Sequence, residues 1–339
     1  MSINPGTVPG VNSGEKLNND YKFHETELFS STMFTRRNLL RASTLGIGTL
    51  ALGRVLSACG GSSDGASPIS NGDGSTGDTS DGTGNSSQDG PISPEMSLVQ
   101  RWVPDQLTPG FVRLPISLAD NAGLLRAGPA VLTGKIINYL DNSVVAENLS
   151  AERLSIGPGT PPFWVFNATL TDPNVYALVI DGGPEDGAAL QIRDGEFMPV
   201  PRVGQTLPSI ETPTVDDSRG VETICTRIPQ CPFHDLTLAQ ALATGKRVVF
   251  LVGTPAHCQT AVCAPVLDAL IDLSADYPDV VFLHVDVYAD AAATVVAPTI
   301  QELSLTFEPV LWITDTTGTI THRFEGVWHH SEIIAALSE

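Results

Sequence analysis

An all-β domain followed by an α/β domain is the fold class that this 339-residue sequence predicts. Three observations carry it. Between about residues 97 and 215, short runs rich in Val, Ile, Phe, Tyr and Trp are separated by Gly, Pro, Asn and Asp, with no helical period among them. From residue 218 to 339 strand-like runs alternate with segments of 3.6-residue period. Ahead of both, residues 60–96 are dominated by Ser, Gly, Asp, Asn and Thr and offer almost nothing apolar to bury.

In the first region the expected strands are Phe111–Leu118, Ala130–Leu140, Pro162–Leu170, Val175–Ile180 and Ala189–Ile192, the last followed by the turn Asp194-Gly195. Their spacing suits an antiparallel sandwich, and the length suits an immunoglobulin-like one. No His and no Cys occurs between Cys59 and Cys225, so no catalytic set is expected here. Phe163 and Trp164 read as core residues on a strand. Pro208 to Asp217 mixes Pro, Thr and acids without period and reads as a linker.

In the second region Lys246–Val252 is a continuous apolar run, as a strand buried on both faces should be. Val262, Val266, Leu267, Leu270, Ile271 and Leu273 then follow helical spacing, ending near Tyr277-Pro278. Val280–Val287 is a second buried strand, Ala291–Leu303 a helix interrupted at Pro298, and Val310–Thr314 a third strand. Thr317-Gly318 turns into Ile320–Phe324, and Ser331–Leu337 closes as a helix.

The N-terminal 59 residues read as an address. Arg36 and Arg37 stand before Ala42 to Gly53, twelve residues without charge. That run is too short for a membrane span, which needs about 20 apolar residues, but suits a signal core. The arginine pair resembles a twin-arginine export signal, and Leu56-Ser57-Ala58-Cys59 resembles the bacterial lipobox, in which the cysteine is diacylated and becomes the mature N-terminus. This implies an extracytoplasmic protein lipid-anchored at Cys59 to a bacterial membrane, in the periplasm or on the outer face of the cytoplasmic membrane. Met33 is an alternative start to Met1. Residues 60–96 would be a flexible tether with a mean reach of roughly 33 Å.

The net charge is −20, and residues from Cys59 onward hold 12 basic against 34 acidic side chains. Such a surface repels phosphate backbones and excludes nucleic acid as an expected partner. Apart from Cys59, four cysteines remain: Cys225, Cys231, Cys258 and Cys263. Four cysteines allow three connectivities, and sequence alone does not choose among them.

Ala264-Pro265-Val266-Leu267-Asp268, Tyr277-Pro278-Asp279-Val280 and His284-Val285-Asp286-Val287 all look like thioredoxin segments, and Glu308-Pro309-Val310 looks like the loop holding that family's cis-proline. The β-α-β-α-β-β-α order resembles the same fold, from Arg247 onward. The unit around Cys-Gln-Thr-Ala-Val-Cys is similar to thioredoxin-family lipoproteins. The resemblance implies that Cys258 is an attacking thiolate activated near a helix N-terminus, that Cys263 resolves it, and that Pro309 shapes the substrate groove. The sequence departs from the family in two ways. Ala256-His257 stands where the family has Trp before the first cysteine, and the second cysteine comes late, giving Cys-x4-Cys. Helical positions i and i+5 have Cα atoms about 8–9 Å apart, beyond the usual disulfide limit of about 7 Å. A Cys258–Cys263 bond therefore requires Cys258 to sit off the helix, in the loop around Thr254-Pro255-Ala256.

Cys225 and Cys231 read as a disulfide, structural or relaying electrons to Cys258, with a metal role as the further option. Zinc spacing is not matched; thiolates with a nearby imidazole suit Cu(I) better. His234 and His257 form a ligand-rich set with the four cysteines, and His329 and His330 are the remaining candidate ligands. The leading expectation is a thiol–disulfide oxidoreductase without cofactor, acting on protein thiols and disulfides. The alternatives are a Cu(I)-handling protein using Cys258, Cys263 and His329 or His330, and a non-enzymatic envelope protein with structural disulfides.

Overall fold

A computed structural model describes residues 92–258 and 260–339. The expected export signal at Arg36 and Arg37, the lipidation site Cys59 and the tether up to residue 91 lie outside the described residues. No helix among the described residues is long and apolar enough to cross a membrane.

The described chain is mostly β. Eight strands form one antiparallel sheet that nearly closes on itself, compatible with a sandwich: β1 (Ser97–Gln100), β2 (Gly110–Asp120), β3 (Gly123–Leu124), β4 (Val131–Asn138), β5 (Val144–Leu154), β6 (Phe163–Leu170), β7 (Val175–Ile180) and β8 (Ala188–Gln191). The order is β1-β2-β6-β5-β4-β7-β8, with β3 paired to β2. β5 belongs to both halves: its early residues pair with β4, and Arg153 and Leu154 pair with β6. Alternate residues of β2 and β6 meet those of β4 and β7 in one core, which includes Leu114, Ile116, Ile136, Trp164, Phe166 and Leu178. Trp164 is fully buried and its indole N–H donates to Pro129 O at 3.1 Å, so the ring packs without stranding its donor. At the start of β7 the Tyr176 hydroxyl donates to Asp172 O at 2.9 Å. Ile92 and Met96, just ahead of β1, pack against this core.

A second sheet of four strands follows: β9 (Arg247–Val252), β10 (Val280–Val285), β11 (Val310–Thr314) and β12 (Ile320–Glu325), in the order β10-β9-β11-β12. β9 and β10 are parallel; β11 is antiparallel to both β9 and β12. Side chains alternate along β9. Val248, Phe250 and Val252 face one core with α1 (Leu238–Ala243) and α3 (Pro298–Glu302). Val249 and Leu251 face another, with α2 (Cys263–Ser274) and α4 (His330–Ser338). Burial on both faces is why β9 reads as an unbroken apolar run.

Two helices differ from expectation. Pro298 opens α3 instead of interrupting a longer helix, since a missing N–H is harmless in the first turn. Upstream, the Asp290 carboxylate accepts from the Thr294 and Val295 amides and so holds a turn there. α1 was not expected. It is short, but Thr237 and Gln240 form a reciprocal capping box that starts it.

The chain from Val200 to Asp235 has no helix or strand, yet it packs on the second sheet. Val200, Leu207, Ile210 and Val221 are buried there, and Pro201 O accepts from the Trp312 indole at 3.0 Å. Pro208 to Asp217 thus runs along the second core.

The two sheets touch along β12 and the loop after it. Arg113 of β2 binds Glu332 of α4 through two parallel bonds of 2.7 and 2.8 Å and lies over the Phe324 ring. Phe163 packs with Val262 and Val327. Gly326 has φ +70°, and a Cβ there would collide with Arg101 O. Gly326→Ala is therefore expected to lower stability by about 1–2 kcal/mol from backbone strain alone, with the added clash loosening this contact; a urea unfolding midpoint at wild-type level would contradict that.

Candidate functional site

Two constellations of sulfur chemistry share the C-terminal ends of β9 and β10. The first is a disulfide between Cys258 and Cys263, whose Cα atoms are 6.0 Å apart. Cys263 is the first residue of the twelve-residue α2, and Cys258 lies in the preceding loop, off the helix. The two sulfurs differ in access. Cys263 is buried at 1 % exposure, whereas Cys258 is half-buried and packs on the Phe163–Val262–Val327 cluster. Cys258 Sγ also faces two donors, the Cys263 amide at 3.3 Å and the Thr260 hydroxyl at 3.3 Å. The amide is one of the free N–H groups at the helix start, where partial positive charge favours an anion.

Beneath the disulfide stands Glu308. Its Oε2 is 3.9 Å from Cys263 Sγ and accepts from the Thr254 amide at 2.6 Å. Burial raises this carboxyl to about 7, against the pull of the Thr254 hydrogen bonds. The Glu308–Pro309 peptide is cis. Gly253 runs between Pro309 and Cys263: a Cβ there would stand 3.4 Å from Pro309 Cβ and 3.6 Å from Cys263 Sγ.

The second constellation is Cys225, Cys231, His234 and His284, all buried, with one ligand-type atom from each within 4.8 Å of all the others. Cys225 and Cys231 are free thiols in the structure and are not joined to each other. Cys231 Sγ lies 3.1 Å from His234 Nε2 and 3.5 Å from His284 Nδ1; Cys225 Sγ lies 3.7 Å from the same His284 Nδ1. Their mutual hydrogen bond draws the Cys225 thiol down and pushes Cys231 up, so the pair holds one proton more firmly than two. Burial lowers the pKa of His284, but the Cys225 hydrogen bond and the Asp286 charge outweigh it and raise it. Burial also raises Asp286 to about 6 despite the His284 charge.

The constellations meet at residues 253 and 254. His284 Nε2 lies 2.7 Å from Gly253 O, while the next amide, Thr254, binds Glu308. The Thr254 hydroxyl accepts from Val287 N at 2.8 Å.

Sequence reasoning singled out Cys225, Cys231, His234, Cys258, Cys263 and Pro309 but missed His284 as a ligand-type group and Glu308 as an acid. His284 sits in a strand whose neighbours are apolar, and its partners are more than 50 residues away in sequence. The signal available for Glu308 was its position before Pro309. The other candidate histidines, His257, His329 and His330, stay outside the cluster. His257 is exposed, edge-on to Tyr288. His329 caps α4 by accepting from Ser331 N, and its ring lies against His330. No protein-family model matches the chain, and no curated protein matches it.

Proposed function

We propose that this chain is an extracytoplasmic thiol–disulfide oxidoreductase of thioredoxin-like type, held to a membrane by a lipid on Cys59 and acting on protein thiols and disulfides. The observation that carries the reading is the asymmetry of the Cys258–Cys263 bond: one sulfur within reach of solvent, the other buried over a carboxyl that ionises near neutrality. Also in favour are the parallel β9–α2–β10 unit, the antiparallel β11 and β12, and a proline loop beside the second sulfur. For the first domain, strands β1-β2-β6-β5 beside β4-β7-β8 match the four-plus-three arrangement of constant-type immunoglobulin domains. The Tyr176 hydroxyl bonding back to Asp172 O resembles the tyrosine corner of such sandwiches.

The chemistry follows from access. A substrate thiolate attacks Cys258 Sγ, the S–S bond breaks, and Cys263 leaves as a thiolate. Protonated Glu308 gives that thiolate its proton. In the reverse direction ionised Glu308 takes the Cys263 proton, and the resulting thiolate attacks the mixed disulfide on Cys258. The Cys263 amide and the Thr260 hydroxyl stabilise a Cys258 thiolate whenever it forms.

Titration against glutathione, with peptide mapping of every cysteine, tests the reading. The expected result is a single Cys258–Cys263 couple between about −270 and −120 mV, the span of exchange proteins. A couple below about −300 mV, typical of structural disulfides, would sink it. So would pairing of Cys258 with Cys225 or Cys231.

A further inference from the structure

We infer that Cys225, Cys231, His234 and His284 form a closed, four-coordinate site for zinc, which fastens the irregular chain at residues 225–234 to strand β10. The inference stands apart from the exchange chemistry, since it uses neither Cys258 nor Cys263.

Geometry is the first support. Zinc–sulfur bonds of about 2.3 Å and zinc–nitrogen bonds of about 2.0–2.1 Å in a tetrahedron put ligand atoms roughly 3.3–3.8 Å apart. Three of the four sulfur–nitrogen separations here are 3.1, 3.5 and 3.7 Å, and no pair exceeds 4.8 Å. The four groups are 1–7 % exposed. Four protein ligands with water excluded is the pattern of a structural zinc site, in contrast to a catalytic one, which keeps a position open.

The orientation of His284 is the second support. Its Nε2 faces only acceptors, Gly253 O at 2.7 Å and Asp286 Oδ1 at 3.4 Å, so that nitrogen carries a hydrogen. The opposite nitrogen, Nδ1, is the atom turned toward both sulfurs. A histidine whose outer N–H is held by a carbonyl beside a carboxylate, while its inner nitrogen meets thiols, has the outer shell of a metal ligand. Asp286 is itself fixed by the Thr226 amide at 2.8 Å.

Charge selects the metal. Two thiolates and two neutral imidazoles balance a divalent cation, leaving the buried set neutral. Cu(I) would leave one negative charge uncompensated in an interior that already holds Asp286 and Glu308, and uncompensated buried charge is costly. Soft sulfur with imidazole in a tetrahedral set favours zinc over magnesium, calcium or manganese. The segment that supplies three of the ligands has no helix or strand of its own and takes one backbone bond from β10, His284 N to Phe233 O at 3.2 Å, so a metal cross-link would add to a sparse backbone attachment.

The test uses the whole chain, produced in zinc-supplemented medium and purified with the thiols kept reduced. Elemental analysis should find about one zinc per chain in the wild type and in Cys258→Ser/Cys263→Ser, and at least a tenfold lower content in Cys225→Ser/Cys231→Ser. Should the last variant misfold, cobalt replacement in the Cys258→Ser/Cys263→Ser chain gives an independent reading. Intense tetrahedral bands with sulfur-to-cobalt charge transfer are expected there. Zinc that follows Cys258 and Cys263, octahedral cobalt, copper in place of zinc, or a Cys225–Cys231 disulfide in zinc-grown wild type would each overturn the inference.

Discussion

Glu308→Gln is expected to slow exchange at the Cys258–Cys263 disulfide by roughly a hundredfold, the lower end of what a positioned acid or base contributes, and to erase a kinetic step near pH 7. Glu308 is half-buried, its carboxyl lies 3.9 Å from Cys263 Sγ, and desolvation raises its pKa to about 7. Below that pH it can protonate the departing Cys263 thiolate; above it, it can take the Cys263 proton. The wild-type disulfide should therefore be reduced by substrate thiols faster on the acid side, and the dithiol should resolve a mixed disulfide faster on the alkaline side, while the glutamine variant is slow and flat in both directions. Stability supplies a second readout with its own sign. Because the folded carboxyl ionises near 7 and not near 4.5, the folded state holds a proton that the unfolded chain has lost between those values. Wild-type stability accordingly falls as pH rises through this window. The accumulated loss is about 3 kcal/mol above pH 7, and a neutral amide of the same shape escapes it. Stopped-flow exchange with a small disulfide and urea unfolding at pH 5 and pH 8 test both halves. A variant that is slow but also less stable than wild type at pH 8 would mark Glu308 as a structural residue.

Arg113→Ala should cost about 2–3 kcal/mol, read as a lower urea midpoint. The guanidinium and the Glu332 carboxylate are 13 % and 19 % exposed and share two parallel bonds, the strong geometry for this pair. Removing Arg113 leaves Glu332 Oε1 desolvated, while Oε2 keeps only the His329 amide at 2.9 Å. It also removes the cation over Phe324. Breaking one side of a mostly buried pair costs more than removing both. Arg113→Ala/Glu332→Gln should therefore recover part of the loss, and strict additivity of the two single changes in a double-mutant cycle would rule out a direct coupling.

Much of the architecture could be read from the chain because its strands are buried on one or two faces. Val175–Ile180 and Val310–Thr314 coincide with β7 and β11, and the run at Lys246–Val252 contains β9. β5 escaped notice because its apolar residues follow no period of two and most of its length is exposed, with Ala151 its one buried residue. It is a strand because both neighbours pair with it, which no local pattern records. The sulfur sites were legible only by residue type. That Cys258 and Cys263 differ in access depends on where the loop leaves α2. That Cys225 and Cys231 meet His284 depends on the register of β10 against β9. Neither relation lies within a short window of sequence.

The contact between the sheets also has a kinetic side. Arg113 and Glu332 are 219 residues apart, and the bond from Arg323 to Gln106 O spans 217. Contacts of such separation form late, because the intervening chain must be ordered before closure becomes affordable in entropy. The first sheet should therefore collapse on its own short-range hairpins and wait, its docking face incomplete, until β12 and α4 arrive. Docking then belongs to the slow end of the folding reaction, so weakening it should accelerate unfolding while leaving the refolding of the first sheet almost unchanged.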